Sequence, residues 1–166
     1  MTLFNYEDVT VYGLDDERER QLLTIQNECT FMWTNREGWP VGVTMSYVWR
    51  DGRFWLTASG QRARIRALRR DDRAAVCVTS KGTDLGANLT VTYKGRVTLH
   101  EDAETKAWFY PALAEALHPD DEDWQRHFRR FLDSPRRVVL ELAPVGRIGF
   151  DGHKMRAATR AAAERP

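Results

Sequence analysis

The segment of residues 38–78 constrains the fold most, because two strands around a tight turn lead directly into a helix and a third strand. From Pro40 to Trp49, apolar residues alternate with smaller or polar ones, which is the period of a half-buried strand. Asp51-Gly52 is a strong signal for a two-residue hairpin turn, and residues 53–57 form the returning strand. The segment therefore predicts antiparallel strands that are neighbours in both the chain and the sheet.

The rest of the chain continues this pattern and predicts one domain over residues 1–166, with an N-terminal arm (1–13) and a frayed helical tail (156–166). Hairpin-connected strands favour an antiparallel sheet over a parallel one, and six to seven strands of this length close best as a barrel with flanking helices. We expect a mainly β (α+β) fold. Further strands are predicted at 29–34, 74–79, 89–100, 137–142 and 147–150, and helices at 15–28, 61–70, 102–117 and 120–132.

Charge and apolar content restrict the function classes. The chain has 25 Lys+Arg against 24 Asp+Glu, so the excess of positive charge expected of a nucleic-acid binder is missing. No apolar run approaches the ~18 residues of a membrane span, and the first residues lack a secretion signal. Cys29 and Cys77 lie in apolar runs outside any metal-binding spacing, which predicts buried thiols and a reducing, cytoplasmic location.

Six arginines between Arg62 and Arg73 form the most concentrated charge in the sequence. On a helical wheel, five of them (Arg62, Arg66, Arg69, Arg70 and Arg73) share one broad stripe, and for Arg66, Arg69 and Arg70 we favour a solvated face. Arg64 lies on the opposite side, near Leu68, and an arginine directed at a core needs a partner. The pattern leaves two partners open: a ligand phosphate, or a neighbouring carboxylate.

The position of Arg62 and Arg64 adds to the phosphate interpretation. Both are predicted in the first turn of a helix, where free backbone N–H groups and the helix dipole already favour an anion. Guanidinium groups bind phosphate oxygens two at a time. Thr57, Ala58 and Ser59 precede the helix and are small enough for a ring or a sugar chain to lie against the strand end. A flat, phosphate-bearing ligand such as a flavin fits this combination.

At this point the sequence resembles the pyridoxamine 5′-phosphate oxidase-like split β-barrel superfamily, including its flavin and deazaflavin (F-420) dependent oxidoreductases. The resemblance covers roughly residues 15–155, and the order and spacing of its motifs carry it. The motifs are Gly38-Trp39-Pro40, Asp51-Gly52, Leu56-Thr57-Ala58, Arg62-Ala63-Arg64, Leu68-Arg69-Arg70-Asp71-Asp72-Arg73, Tyr93-Lys94-Gly95-Arg96-Val97, residues 136–142, and Phe150-Asp151-Gly152-His153-Lys154.

The resemblance implies a homodimer with two cofactor sites at the subunit interface, holding flavin mononucleotide (FMN) or F-420. It implies that Thr44, Met45 and Ser46 face the ring, and that Leu56, Thr57 and Ala58 flank the ring and the ribityl chain. It also implies that Arg62 and Arg64 hold the phosphate; Lys154 is a further candidate, although a surface lysine is the simpler interpretation. Arg64 replaces the usual family lysine, which keeps the charge and changes the geometry. Asp72 replaces the usual proline.

No Ser-His-Asp set, nucleophile elbow or glycine-rich phosphate loop is present in the sequence, so a bound cofactor would supply the chemistry. The leading hypothesis is hydride transfer to a small conjugated acceptor such as an enone, quinone, nitro compound or tetrapyrrole-like molecule. The alternatives are a non-catalytic module that binds a flavin or haem-like ligand, and a nucleic-acid or phosphoprotein binder. The acids at Asp120–Asp123, between His118 and His127, are interpreted as the start of a helix, and no metal is predicted.

Overall fold

The computed structural model describes residues 8–86 and 88–164, and the predicted arm therefore lies partly outside it. A 3-10 helix (Val9–Tyr12) comes first. The strands are β1 (Glu28–Thr34), β2 (Pro40–Ser46), β3 (Val48–Arg50), β4 (Arg53–Ser59), β5 (Arg73–Thr79), β6 (Leu89–His100) and β7 (Arg137–Asp151). The helices are α1 (Asp16–Ile25), α2 (Ala63–Leu68), α3 (Ala103–Leu117), α4 (Glu122–Leu132) and α5 (Gly152–Ala163).

The seven strands form one antiparallel sheet in the order β2-β1-β5-β6-β7-β4-β3. Its two outermost strands, β2 and β3, are consecutive in the chain and are separated by Tyr47 alone. The sheet must therefore curl until its edges meet at that residue. This confirms the predicted mainly β split barrel with flanking helices.

The predicted strand from Pro40 to Trp49 is divided at Tyr47, which the alternation of apolar residues does not reveal. Tyr47 keeps the inward orientation that the alternation assigns to it, since it is buried and its hydroxyl donates to the carbonyl oxygen of Leu23. Its N–H donates to the carbonyl oxygen of Asn27 rather than to a strand partner. The alternation of apolar residues therefore predicts the direction of the Tyr47 side chain correctly. The change of strand partner at Tyr47 depends on how the whole sheet closes, which the local sequence does not show.

The predicted hairpin turn is confirmed. Asp51 and Gly52 both have positive φ, 53° and 73°, which is the geometry of a type I′ turn. The turn sets the register of the following pairs, Arg50 with Arg53 and Val48 with Trp55.

Two hydrophobic cores stabilise the fold. The larger fills the barrel with side chains from every strand except β3, together with residues of α1 and α2. The smaller lies outside the barrel, where α3 and α4 cover β7, β4 and β3; its buried members are Phe109, Tyr110, Leu113, Leu132 and Val139.

Three element boundaries differ from the sequence prediction. The helix predicted over 61–70 is only Ala63–Leu68, and Arg73 begins β5 instead of extending the helical arginine stripe. The strands predicted at 137–142 and 147–150 are one strand, because Pro144 is accommodated opposite Gly95 at an irregularity in the register. The C-terminal helix begins at Gly152, before the predicted frayed tail.

Aspartates begin every described α-helix except α2, as the sequence predicts for α1, α3 and the acidic segment before α4. The carboxylates of Asp15, Asp102 and Asp121 accept backbone N–H groups of the first turn. Asp151 does the same for α5, and it is almost fully buried beside Arg18, 3.2 Å away. These side chains supply partners for helix N–H groups that would otherwise have none.

The two thiols have different environments. Cys29 is buried, as predicted, and burial raises the pKa of its thiol to about 12. Cys77 is only half-buried, and its side chain faces the outside of the barrel, so the prediction of a core thiol is wrong for this residue. The structure contains no disulfide between them.

No helix within residues 8–86 and 88–164 has the length and apolar character needed to cross a membrane. In the same residues, His, Cys, Asp and Glu side chains do not gather in groups of three or more that could hold a metal ion.

Gly95 is required where β6 and β7 shift register. A Cβ there would lie 2.5 Å from the carbonyl oxygen of Ala143 and 2.7 Å from Leu142 Cδ2. Because a strand backbone cannot move aside, we expect Gly95→Ala to lower the free energy of unfolding by about 1–3 kcal/mol, measured by urea denaturation. Gly146→Ala is the matched control, since its Cβ would meet only the flexible end of Lys94. An equal loss in both variants would contradict this account.

Candidate functional site

The barrel opens where the hairpin strands separate. Beyond the pair Val48–Trp55, β2 joins β1 and β4 joins β7, so the two strands diverge after Tyr47. Extending the hairpin register by two residues sets Ser46 opposite Thr57. The topology thus brings the end of β2 and the second half of β4 to the two sides of one split, with α2 following directly from β4.

The predicted ring contacts differ in the direction of their side chains. Met45, Leu56 and Ala58 point into the barrel and are buried, so they could offer a ligand only their backbone. Thr44 and Ser46 point outwards from β2, exposed and half-buried respectively. Thr57 is half-buried, and its hydroxyl donates to the carbonyl oxygen of Val138 at 2.8 Å. The predicted ring contacts that face outwards therefore carry hydroxyl groups. Those that face the barrel interior anchor the two strands in the core.

Arg64 is the unusual charged residue of this region. It is half-buried in α2, next to Ile65 and near Leu68, which are both buried in the barrel core. Its Nε is buried and has no hydrogen-bond partner. Among the described residues, no carboxylate lies within 4.0 Å of its guanidinium. Burial, followed by the neighbouring Arg62 charge, lowers the pKa of the Arg64 guanidinium.

The sequence left two partners open for Arg64, and the described part of the chain does not supply the carboxylate. A half-buried cation without a counter-charge costs stability, so an external anion would satisfy it. An arginine with a free, buried Nε suits phosphate oxygens well, because the guanidinium donates in a fixed fork. The residues at the start of α2 therefore fit the phosphate group of a flavin-type cofactor.

The other helix arginines are exposed, as predicted for Arg66, Arg69 and Arg70. Arg69 is paired with Glu101 at 2.8 Å. Arg62 is the residue that begins α2, and its exposed side chain makes no capping hydrogen bond. Arg62 is thus placed beside Arg64 at the same helix end.

Lys154 has partners of its own. Its Nζ donates to the carbonyl oxygen of Gly13 at 2.8 Å and lies 3.5 Å from Asp15. The exposed ammonium ties α5 to the start of α1, which agrees with a surface lysine. Nothing in these contacts links it to Arg64.

A polar cluster outside the barrel was missed by the sequence analysis. Glu141 is buried, forms an ion pair with Arg53, and lies 2.6 Å from His100 Nε2. The His100 ring also lies over Trp55, with ring centroids 5.5 Å apart. A glutamate within the apolar run of β7 was the available sequence signal, because a charge in such a run needs partners.

These features are those of a split β-barrel protein with an unpaired arginine at the split. The chain matches the family model for pyridoxamine 5′-phosphate oxidase over residues 16–149, and it belongs to that family. No curated protein matches the chain.

Solved structures share the fold at low identity. A conserved hypothetical protein from Mycobacterium tuberculosis is 17% identical with a TM-score of 0.74, covering 88% of this chain and 90% of that one. An F-420 reductase is 16% identical with a TM-score of 0.60, covering 77% of this chain and 94% of that one. A FAD-binding protein from Mesorhizobium loti is 16% identical with a TM-score of 0.58, covering 82% and 94%.

The cost of the unpaired cation can be measured without a ligand. We expect Arg64→Met to leave the free energy of unfolding of the ligand-free protein unchanged or to raise it by up to about 1 kcal/mol, because the charge is lost while the buried stem is kept. Arg18→Met, which removes the partner of buried Asp151, is the contrasting control and should be destabilising in the same urea titration. A clear loss of stability in Arg64→Met would show that the guanidinium already has a partner.

Proposed function

We propose that this protein is an oxidoreductase that binds FMN or F-420 at the split of the barrel. Bound in this way, the flavin or deazaflavin in its reduced form would supply hydride to a small conjugated acceptor, such as an enone, quinone, nitro compound or tetrapyrrole-like molecule, and would itself be oxidised. The observation that carries the proposal is the half-buried Arg64 guanidinium, whose buried Nε has no partner among residues 8–86 and 88–164. Membership of a family named for an oxidase supports the same class of chemistry.

The chain would bind the cofactor in two parts. Arg64 and Arg62 hold the phosphate at the start of α2. The ring lies at the split, between residues 44–46 of β2 and residues 56–58 of β4. Because Met45, Leu56 and Ala58 are fixed in the core, the backbone beside the ring is held rigidly, which favours a fixed ring orientation.

The exposed arginines distinguish between the two cofactors. FMN has one phosphate and needs only the Arg62–Arg64 pair. F-420 also carries a polyglutamate tail, for which Arg66 of α2 and Arg70 just after it offer exposed positive charge. Neither residue has a carboxylate within 4.0 Å among the described residues. This arrangement favours F-420.

We further propose that the protein is a homodimer that pairs through the outer face of β1, β2 and β5. Helices α3 and α4 cover the opposite side of the barrel, whereas this face carries a shallow groove of about 270 Å³ along β1 and β2. Its central outward positions carry small or apolar residues, and the charged Glu28 and Arg73 lie at the strand ends. The central residues are Thr30, Met32, Gly42, Thr44, Ala75 and Cys77.

Titration of the purified protein with F-420 and with FMN, followed by fluorescence, tests the cofactor proposal. We expect one cofactor to bind, and Arg64→Ala to raise its Kd by roughly 10- to 100-fold, since a hydrogen bond to a charged group contributes about 1.5–3 kcal/mol. Arg64→Lys should give an intermediate Kd because it keeps only the charge.

Arg69→Ala is the matched control for this titration. It removes an arginine at the opposite end of the same short helix, one that Glu101 already pairs, so the Kd of the cofactor should stay close to that of the unmodified protein. Equal weakening by both substitutions would show a general charge effect and not a clamp. Failure of both cofactors to bind would overturn the proposal.

Turnover separates the enzyme from a non-catalytic binding module on the same fold. The loaded protein, reduced beforehand, should be reoxidised by a quinone or an enone faster than free reduced cofactor at the same concentration. Reoxidation at the rate of the free cofactor would favour the binding module.

Oligomeric state tests the proposed interface. We expect Ala75→Arg, which places a charge on the outer face of β5, to convert a dimer into a monomer in size-exclusion chromatography with light scattering. Ala161→Arg on the exposed face of α5 is the control and should remain dimeric. A monomeric unmodified protein would contradict the interface.

A further inference from the structure

An open cleft of about 480 Å³ lies between α3 and α4, away from the residues proposed to bind the cofactor. One wall comes from α3, where Ala103, Ala107 and Pro111 form an apolar strip. The other wall comes from α4, which contributes Arg126, Arg129 and Arg130. The volume is in the range of small-molecule sites.

The charges in the cleft are unbalanced. Four cations line it against a single carboxylate, that of Asp133. Arg126 is paired with Asp123 at 2.9 Å. For Lys106, Arg129 and Arg130, the described residues provide no carboxylate within 4.0 Å.

Two further features distinguish the cleft from a solvated helix face. Lys106 is half-buried and lines the cleft, and no described carboxylate serves as its counter-ion. Tyr110 is 6% exposed and lines the cleft, and its buried hydroxyl finds no hydrogen-bond partner in the part of the chain that the structure describes. A buried hydroxyl without a partner is uncommon in native structures and marks this part of the cleft as incomplete. An anionic ligand with an apolar body would give Lys106 a counter-charge and pack against the Tyr110 ring.

We propose that the α3–α4 cleft binds a small organic acid, with its anionic group held by Lys106 and Arg130 and its apolar part against Pro111 and the Tyr110 ring. An inorganic anion would pair with the cations but would not contact the apolar strip. A neutral hydrophobic molecule would contact the strip but would leave the cations unpaired. The chemical class is an aromatic or aliphatic carboxylate. The site does not depend on the proposed cofactor site.

The probe for this site is 8-anilinonaphthalene-1-sulfonate, whose fluorescence rises in apolar surroundings, displaced by 2-naphthoate and by decanoate. We expect the double substitution Lys106→Gln with Arg130→Gln to raise the Kd of the probe by about tenfold or more, through loss of two charged contacts. Stronger displacement by 2-naphthoate would identify aromatic acids as the preferred class, and stronger displacement by decanoate would identify aliphatic acids.

Matched controls separate the cleft from general charge. Arg156→Gln with Arg160→Gln removes two exposed arginines from α5, the same change in net charge, and should leave the Kd unchanged. Asp133→Asn removes the one carboxylate of the cleft and should tighten binding by about two- to threefold. Far-ultraviolet circular dichroism shows that each variant is folded.

Three results would overturn the proposal. The first is equal weakening by the cleft pair and by the α5 pair, which means that only net charge matters. The second is equally tight binding of the uncharged N-phenyl-1-naphthylamine, which means that the cations do not take part. The third is displacement by inorganic phosphate as effective as displacement by 2-naphthoate, which means that the apolar wall does not take part. Arg64→Ala should not change probe binding, so failure here is distinct from failure of the cofactor proposal.

Discussion

Closure of the sheet at Tyr47 is the constraint on which the rest of the structure depends. The two edges of a seven-stranded sheet are joined by one residue, so the sheet curls until those edges meet there. The burial of Tyr47 and its hydrogen bonds to Leu23 and Asn27 fix this junction against the end of α1 and the segment that follows it. The same divergence that ends the hairpin pairing creates the split at which α2 is placed.

The short helix α2 connects the barrel interior to its charged rim. Ile65 and Leu68 are buried in the core, and Arg64 lies within the same turn of helix. The position of the guanidinium is therefore determined by packing and not by an ion pair. If Arg64 binds an anion as proposed, the core packing of Ile65 and Leu68 would hold its backbone in place for that contact.

Much of the fold could be predicted from the sequence, because its signals are local. The Asp51-Gly52 turn, the aspartate caps and the inward side of β4 follow from residue type and period. The break at Tyr47 and the continuity of β7 through Pro144 could not, since both depend on which strand lies alongside. At the candidate site, Arg64 was separated from the other arginines by helical phase. Two features of the site depend on tertiary packing and could not be predicted. Among the described residues, no carboxylate lies beside Arg64, and His100 and Arg53 converge on Glu141.

The two hydrophobic cores have a consequence for how the protein can change. The helices α3 and α4 are inserted between β6 and β7 and stabilise each other through aromatic and leucine side chains of the smaller core. Their outer surfaces can therefore vary in shape and charge while the barrel that carries Arg64 stays intact. The fold thus separates the unit that holds Arg64 from a helical unit whose outer surface is free to take on other binding properties.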